Sequence, residues 1–309
     1  MRNGGPTIVD VARAAGVSKS LVSLAIRDDP GVSAATRSRI LEIADSIGYR
    51  SNHWARSLVA GRTNLVGVLL NELANPHNTD VVEAVEDAAQ QHDLGVVIGH
   101  GRRDPAQLKL KLEEMMRLGL DGFVVVSAHV PVEALVTAAR QAPVVVVANP
   151  YQLPDGVSQV RNDDSDGARQ AVEHLLSQGH QHIGFLAGTQ SRTTREREEA
   201  FRVVMEEHGL ASVVSDTGRF AKDISAVFAS NDRAAARLLG IASDQGRRVP
   251  EDLAIVGYDD TELARLLRPR LTTVSQPRAE MGRTAMEILL SGSTERVVLK
   301  PSLVVRESS

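Results

Sequence analysis

From Asn64 onward the chain alternates between short apolar runs and longer stretches whose apolar residues recur at helical spacing. The runs are LVGVLL (65–70), GVVIGH (95–100), FVVVS (123–127) and VVVVAN (144–149), then HIGFLAG (182–188), AVFASN (226–231), LAIVGYDD (253–260) and LTTVSQP (271–277). Unbroken runs of this kind suit strands buried on both faces of a parallel sheet. Between the first two, Val81, Val82, Ala84, Val85, Ala88 and Ala89 mark one face of a helix. Such alternation predicts an α/β body of doubly wound parallel sheets. A turn-rich stretch at 151–156 divides it into two lobes, about 63–160 with 278–290 and about 161–275 with 295–309. The chain is expected to cross between lobes near 150–162 and again near 273–280. Ligands of such folds bind in a cleft at the carboxyl ends of the strands.

Residues 6–50 read differently, as a small all-α head. Thr7-Ile8-Val9-Asp10 is a capping box, and Val11, Ala12 and Ala15 give the helix after it an apolar face. Gly16 stops that helix, and Ser18 caps a second one, with Val17 and Val22 placed as a hydrophobic staple across the cap. The short connection is that of a helix-turn-helix. Along the second helix Leu21, Val22, Ala25 and Ile26 face inward, leaving Lys19, Ser20, Ser23, Leu24 and Arg27 outward. Small, polar and basic residues there suit a helix that reads base edges in a major groove. A third helix starts near Ser33 and carries Ile40, Ile43, Ala44 and Ile47 at core spacing up to Gly48. The same pattern also fits a generic three-helix bundle with a solvated polar face.

The stretch Asn52 to Arg62 has good helix formers and a stop at Gly61, but it is too short to be stable alone in water. Residues 51–62 are therefore expected to be a hinge helix or linker between the head and a body spanning 63–309. With these segments in place the chain resembles the lac repressor (LacI/GalR) family. The resemblance rests on IVDVARAAGVSKSLVSLAIRD, VSAATRSRILEIADSIGYRSN and ARSLVAGRT, and in the body on RVPEDLAIVGYDD and LTTVSQP. It implies a two-lobed periplasmic-binding-protein-like body behind the helix-turn-helix head. It also implies that Lys19, Ser20 and Leu24 choose the base sequence, while Thr7, Ser23, Ser33, Thr36, Tyr49 and Asn52 grip the phosphate backbone. Ala55 and Leu58 fall where the family's hinge meets the minor groove, Leu58 matching a leucine that wedges between base pairs. By itself Leu58 also fits an ordinary core position. Trp54, the one tryptophan, lies in this segment, so its fluorescence is expected to change on operator binding.

For the cleft, the resemblance singles out Arg197, Asn231 and Asp259, with Asp166 and Gln276 behind them. A guanidinium, an amide and a carboxylate make the donor and acceptor set that sugar hydroxyls need. His77 and Asn78 stand where many relatives have aromatic residues, so a stacking platform is expected to be missing. Asn231-Asp232 and Asp259-Asp260 fit helix caps as well as ligand contacts, and Arg197 lies in a charged run that solvent alone accounts for. His180 and His182 read as turn residues. One interval departs from the family, which has a further helix there. Between Asp216 and Ala226 there is too little chain for a parallel crossover of the usual dozen residues or more. Either the segment is remodelled or the second lobe lacks a helix.

Composition narrows the classes. Apolar residues make up 42% of 309, enough for a large core, and the aromatic share of 3% suits aliphatic parallel sheets. With no cysteine, disulfides and thiolate metal sites are excluded. No run reaches membrane-spanning length, and the first residues lack a signal peptide's apolar stretch, so the expected location is the cytoplasm, on the nucleoid when bound to DNA. Residues 1–62 hold nine lysines and arginines against five acids, a balance of +4; since the whole chain carries −4, the remainder carries −8. A basic head on an acidic body points the head alone at a polyanion. No P-loop, dinucleotide fingerprint, nucleophile elbow or metal-spaced histidine cluster occurs, so neither catalysis nor a cofactor is expected. The expected protein is a homodimeric, sequence-specific transcription regulator, most simply a repressor, whose two heads read a near-palindromic operator under control of a sugar-like effector. No leucine heptad follows Val305, so no coiled-coil tetramerisation tail is expected. A solute-binding protein is the rival reading and a sugar-processing enzyme a distant third; the head argues against both.

Overall fold

A computed structural model describes residues 6–27, 29–49, 62–188 and 191–309. The chain divides into two compact units that meet at Thr63 and Asn64. Asn52, Trp54, Ala55 and Leu58 lie outside the described residues.

The first unit holds α1 (Ile8–Ala15), α2 (Lys19–Arg27) and α3 (Ala34–Ser46). Its caps are those the sequence predicts. The Thr7 hydroxyl and amide both donate to Asp10 Oδ2, at 2.6 and 2.9 Å, and Ser18 Oγ accepts the Leu21 amide at 3.2 Å. Gly16 closes α1 in the left-handed region (φ 66°), a conformation that costs a side-chain-bearing residue energy and lets the chain turn within one step. Val11, Ala15, Val22, Ala25 and Ile40 form the centre of the core, with Val17, Leu21, Ile26 and Tyr49 packed around it. Arg39 donates to the Ala15 carbonyl at 2.5 Å, tying α3 to the end of α1.

In the second unit, the first lobe opens with β1 (Leu65–Leu70), α4 (Pro76–Gln90), β2 (Gly95–His100), α5 (Pro105–Arg117), β3 (Gly122–Val126), α6 (Val132–Ala139), β4 (Val144–Val147) and β5 (Ser158–Asn162). The second lobe follows with α7 (Asp164–Ser177), β6 (Ile183–Leu186), α8 (Arg192–Glu207), β7 (Val213–Ser215), β8 (Ala226–Ala229), α9 (Asp232–Asp244), β9 (Ala254–Asp259), α10 (Glu262–Leu266) and β10 (Thr272–Ser275). The chain then returns to the first lobe as α11 (Arg278–Ser291) and β11 (Arg296–Leu299), and ends in the second with β12 (Ser302–Val304). The sheet orders are β11-β5-β4-β3-β1-β2 and β12-β10-β9-β8-β6-β7. Among the described strands only β12 runs antiparallel, against β10. Each sheet is buried on both faces by separate apolar clusters, as the continuous runs require.

Two expectations need correction. Residues 295–309 do not all belong to the second lobe, because β11 pairs parallel with β5, from Arg296↔Gln159 to Leu299↔Asn162. The lobes are therefore joined by three crossings, after Asn162, after Ser275 and after Leu299. They lie side by side: Asp163 N–H donates to Leu299 O at 2.9 Å, and Ser275 pairs with Ser302. The first crossing falls at the end of the expected interval, since β5 runs to Asn162 within the first sheet and carries the first lobe slightly past 160.

The second correction concerns 216–225. β7 and β8 both run parallel to β6, on its two sides, so this interval is a parallel crossover after all. It holds no helix. A dozen residues is what a helical return takes, whereas ten in extended form reach about 33 Å, ample to pass one short strand. The side chain of Phe220 fills the room a helix would occupy. It lies against Gly184 of β6, where a Cβ would come within 2.5 Å of its ring, and Ile224 is buried beside it. Of the two outcomes left open by the sequence, the second lobe lacks a helix.

Candidate functional site: an exposed helix face and an interlobe cleft

On α2, packing decides what is presented. Val22 and Ala25 are sealed in the core, so Lys19 and Ser20 are exposed, and Ser23 and Leu24 half-exposed, on the other side. Thr7 and Ser33 stand at the N-termini of α1 and α3, where unpaired backbone amides attract anions. Ser33 Oγ accepts the Thr36 amide at 3.2 Å and meets its hydroxyl at 2.8 Å, which places both at the start of α3. Tyr49 is half-buried, its amide donating to Ala44 O at 2.8 Å.

Between the lobes of the second unit lies a cleft of about 500 Å³. Arg197, on α8, is the best-fixed side chain in it. It donates to Asp164 Oδ1 from Nε at 2.8 Å and to Ser230 O at 2.5 Å, its Nη1 is 3.7 Å from Asp259, and its guanidinium lies 3.4 Å over the Tyr258 ring. At 6% exposure it is no solvated member of a charged run. Burial alone disfavours its charge, but Asp164, Tyr258 and Asp259 more than offset that and hold it protonated. Asp259 lines the cleft at φ 106° and accepts from Gln276 Nε2 at 2.7 Å. Burial pushes its carboxyl up, against the pull of Arg197.

Asn231 is a helix cap that also borders the cleft. Its Oδ1 caps α9 by accepting the Ala234 amide at 2.8 Å, while the residue lines the cleft. The neighbouring acids do not reach the cleft. Buried Asp232 accepts from the Thr261 amide and hydroxyl and from the Thr273 hydroxyl, at 2.7, 2.9 and 2.6 Å. Its carboxyl is pushed up to about 7 by burial and by the Asp259 charge, against those hydrogen bonds. Asp260 accepts from Arg306 at 2.6 Å.

Asp166 is a correction. It accepts from Gln170 at 2.8 Å on the same helix and does not line the cleft; the carboxylate of that turn that does is Asp164, 1% exposed. His77 and Asn78 both line the cleft. Asn78 donates to Glu72 O at 3.1 Å and so braces the β1–α4 loop. His77 Nδ1 is sealed from solvent without a partner. Burial, then Arg278 and Arg197, lower the ring to about 4, leaving it neutral. No Phe, Tyr or Trp lines the cleft among the described residues, as expected. The sequence reading missed Asn71, at the end of β1, and Arg161 and Asn162, at the end of β5, which share the cleft. The carboxyl-end rule points to all three, but β5 went unrecognised because SQVRN has no apolar run.

The lobes touch on both rims. Asn149 Nδ2 donates to both Glu196 oxygens at 2.6 and 2.7 Å, Arg192 donates to Pro150 O at 2.5 Å, and Arg233 meets Glu72 at 3.4 Å. Ser191, Thr194 and Asp164 line the cleft from the second lobe. Hydrogen-bonding groups thus line a space of small-molecule size.

The pattern of a short helical head and this two-sheet body is matched by known families. The model for bacterial regulatory proteins of the lacI family matches residues 7–52. That for periplasmic binding proteins and the sugar-binding domain of the LacI family matches 63–218, and a periplasmic binding protein-like model matches 172–309. The chain belongs to the LacI family. Like the family's other members, this LacI-family chain is a DNA-binding transcriptional regulator and not an enzyme. Relatives include the transcriptional regulator GalR of Escherichia coli, 31% identical over 98% of this chain and 95% of that protein. Catabolite control protein A of Priestia megaterium is 30% identical over 92% and 91%. Among solved structures, the lac repressor dimer bound to operator and the anti-inducer ONPF matches with a TM-score of 0.87 at 26% identity, covering 99% of both chains. A complex of the regulator CelR with cellobiose matches at 29% identity with a TM-score of 0.70, covering 98% of this chain and 100% of that one. No helix among the described residues is long and apolar enough to cross a membrane.

Proposed function

We propose that this LacI-family regulator is a homodimeric repressor whose two heads bind the halves of a near-palindromic operator, released or tightened by a sugar-like effector in the interlobe cleft. The observation that carries the reading is the exposed α2 face. Lys19, Ser20 and Leu24 are held outward by a core on the opposite side, which is how a recognition helix is presented. Thr7, Ser23, Ser33, Thr36, Tyr49 and Asn52 position the head on phosphates, and Ala55 and Leu58 meet the minor groove. Arg197, Asn231, Asp259 and Gln276 read the effector, with His77 and Asn78 on the facing lobe and Asp164 in place of Asp166. The protein works in the cytoplasm, on the nucleoid when bound to DNA. Support comes from the lac repressor structure, which holds an operator and an anti-inducer in a dimer.

Selection of bound sites from random DNA by the full chain tests this. The expected product is a near-palindrome, with selectivity lost at the contacted positions on changing Lys19 or Leu24. Equal binding of random and selected DNA at physiological salt would sink the proposal.

A further inference from the structure

Around the cleft, cations come with counter-ions. Arg197 pairs with Asp164 at 2.7 Å, Arg103 with Glu72 at 3.2 Å, Arg278 with Asp80 at 2.9 Å and Arg192 with Glu196 at 3.1 Å. Arg161 is the exception. It lines the cleft from the end of β5, half-buried, and donates to the Asn162 carbonyl at 3.3 Å, but among the described residues no carboxylate pairs with it. A half-desolvated guanidinium without a counter-ion is a site where an entering anion gains a charge-assisted, two-pronged contact.

Among the described residues, the same cleft holds three buried polar atoms without partners: Asn71 Oδ1, His77 Nδ1 and Asn162 Oδ1. The orientation of Asn162 is fixed, because its Nδ2 donates to Tyr258 Oη at 2.7 Å and to Asp164 at 3.3 Å, so the oxygen is the end left over. Both amide oxygens accept only, and His77 Nδ1 accepts or donates according to its tautomer, either of which a hydroxyl can satisfy. Leaving such atoms unpaired in a buried site is costly, and ligand hydroxyls supply the missing partners. Asn71 follows β1 and Arg161 lies near the end of β5, three places away in the sheet, about 14 Å at ordinary strand spacing. Asn71 and Arg161 are therefore offered to opposite ends of a ligand, with Asn162 beside Arg161 at the end of β5 and the long arginine stem closing part of the distance.

We propose that the effector is an acidic carbohydrate, a polyhydroxylated molecule bearing a carboxylate or phosphate, whose hydroxyls are read by Asn71, His77 and Asn162 and whose anionic group pairs with Arg161. This rests on the proposal that the cleft takes a small-molecule effector, and narrows it to one chemical class.

The test is calorimetric titration of the full chain with matched sugars: glucose against gluconate, glucuronate and glucose 6-phosphate; galactose against galacturonate; ribose against ribose 5-phosphate. At least one acid binds about ten- to a hundredfold more tightly than its neutral parent, as a charged hydrogen-bonded contact supplies. Its affinity falls by a similar factor in Arg161→Gln, recovers in part in Arg161→Lys, and weakens with added salt. The carboxylate and phosphate arms separate the two sources of the anion. A neutral sugar that binds as tightly as its acid overturns the class while leaving the effector reading intact. If no sugar of either series binds while the chain still holds its selected operator, the effector reading falls and the class with it.

Discussion

Arg197 is held by a carboxylate, a carbonyl and an aromatic face of the protein itself. Such preorganisation lowers what binding must spend on ordering. It also makes the residue structural. Arg197→Ala leaves Asp164 buried without its counter-charge, and the expected loss is about 3–5 kcal/mol, read from denaturant midpoints. Arg197→Lys keeps the charge without the fork and is expected to fall between. His77 gives a pH prediction. Its ring titrates near 4 folded and near 6.5 unfolded, so between those values the unfolded chain takes up a proton the folded chain refuses. Stability attributable to His77 is complete above pH 6.5 and declines as pH falls toward 4. From pH 7 to 5 the native chain should lose about 2 kcal/mol more than His77→Gln; equal losses would refute a neutral, buried ring. At this scale much of the cleft was legible: Asn231, Asp259 and Gln276 are polar residues at the ends of apolar runs, while Arg197, in a charged run, is singled out by the family resemblance alone. Choosing between Asp164 and Asp166 was not, because that depends on how α7 is rotated. Gly167 fixes the rotation: a Cβ there would come within 2.3 Å of Tyr258 Oη, so this face presses against β9 and carries Asp164, three residues back, inward.

Among the elements, the long apolar strands and capped helices followed directly from local pattern, because each carries its own periodicity or cap. β5, β11 and β12 did not. SQVRN, RVVL and SLV are short and mixed, and pair as they do only because neighbouring strands stand ready. The crossover at 216–225 was misjudged for a related reason: the sequence shows a missing helix but not the side chain that replaces it. Phe220→Ala should cost the body about 2–3 kcal/mol, less than a fully buried phenylalanine because the ring is only half-covered. Chemical denaturation checks this, and an unchanged midpoint would mean that Phe220 does not plug the sheet. In the head, Ser33→Ala removes the cap of α3 and should cost about 1 kcal/mol, seen as faster amide exchange along that helix.

For the whole molecule, the charge division matters most. A head of +4 beside a body of −8 means that DNA attraction is local to the head and opposed by the rest. If each dimer neutralises about six to ten phosphates, operator affinity should fall roughly 10³- to 10⁵-fold between 50 and 200 mM salt, measurable by fluorescence anisotropy. A shallow dependence would mean that far fewer phosphates are gripped. The three crossings between the lobes bear on what such a regulator can report. One connecting strand would let a lobe swivel in any direction. Three lying edge to edge form a narrow ribbon that folds readily across its width and resists twisting and sliding. Lobe movement is then expected to follow chiefly one hinge angle. Changing the side chains of the cleft would then alter which molecule is heard without rewriting the message, much as re-cutting a key leaves the bolt's travel unchanged.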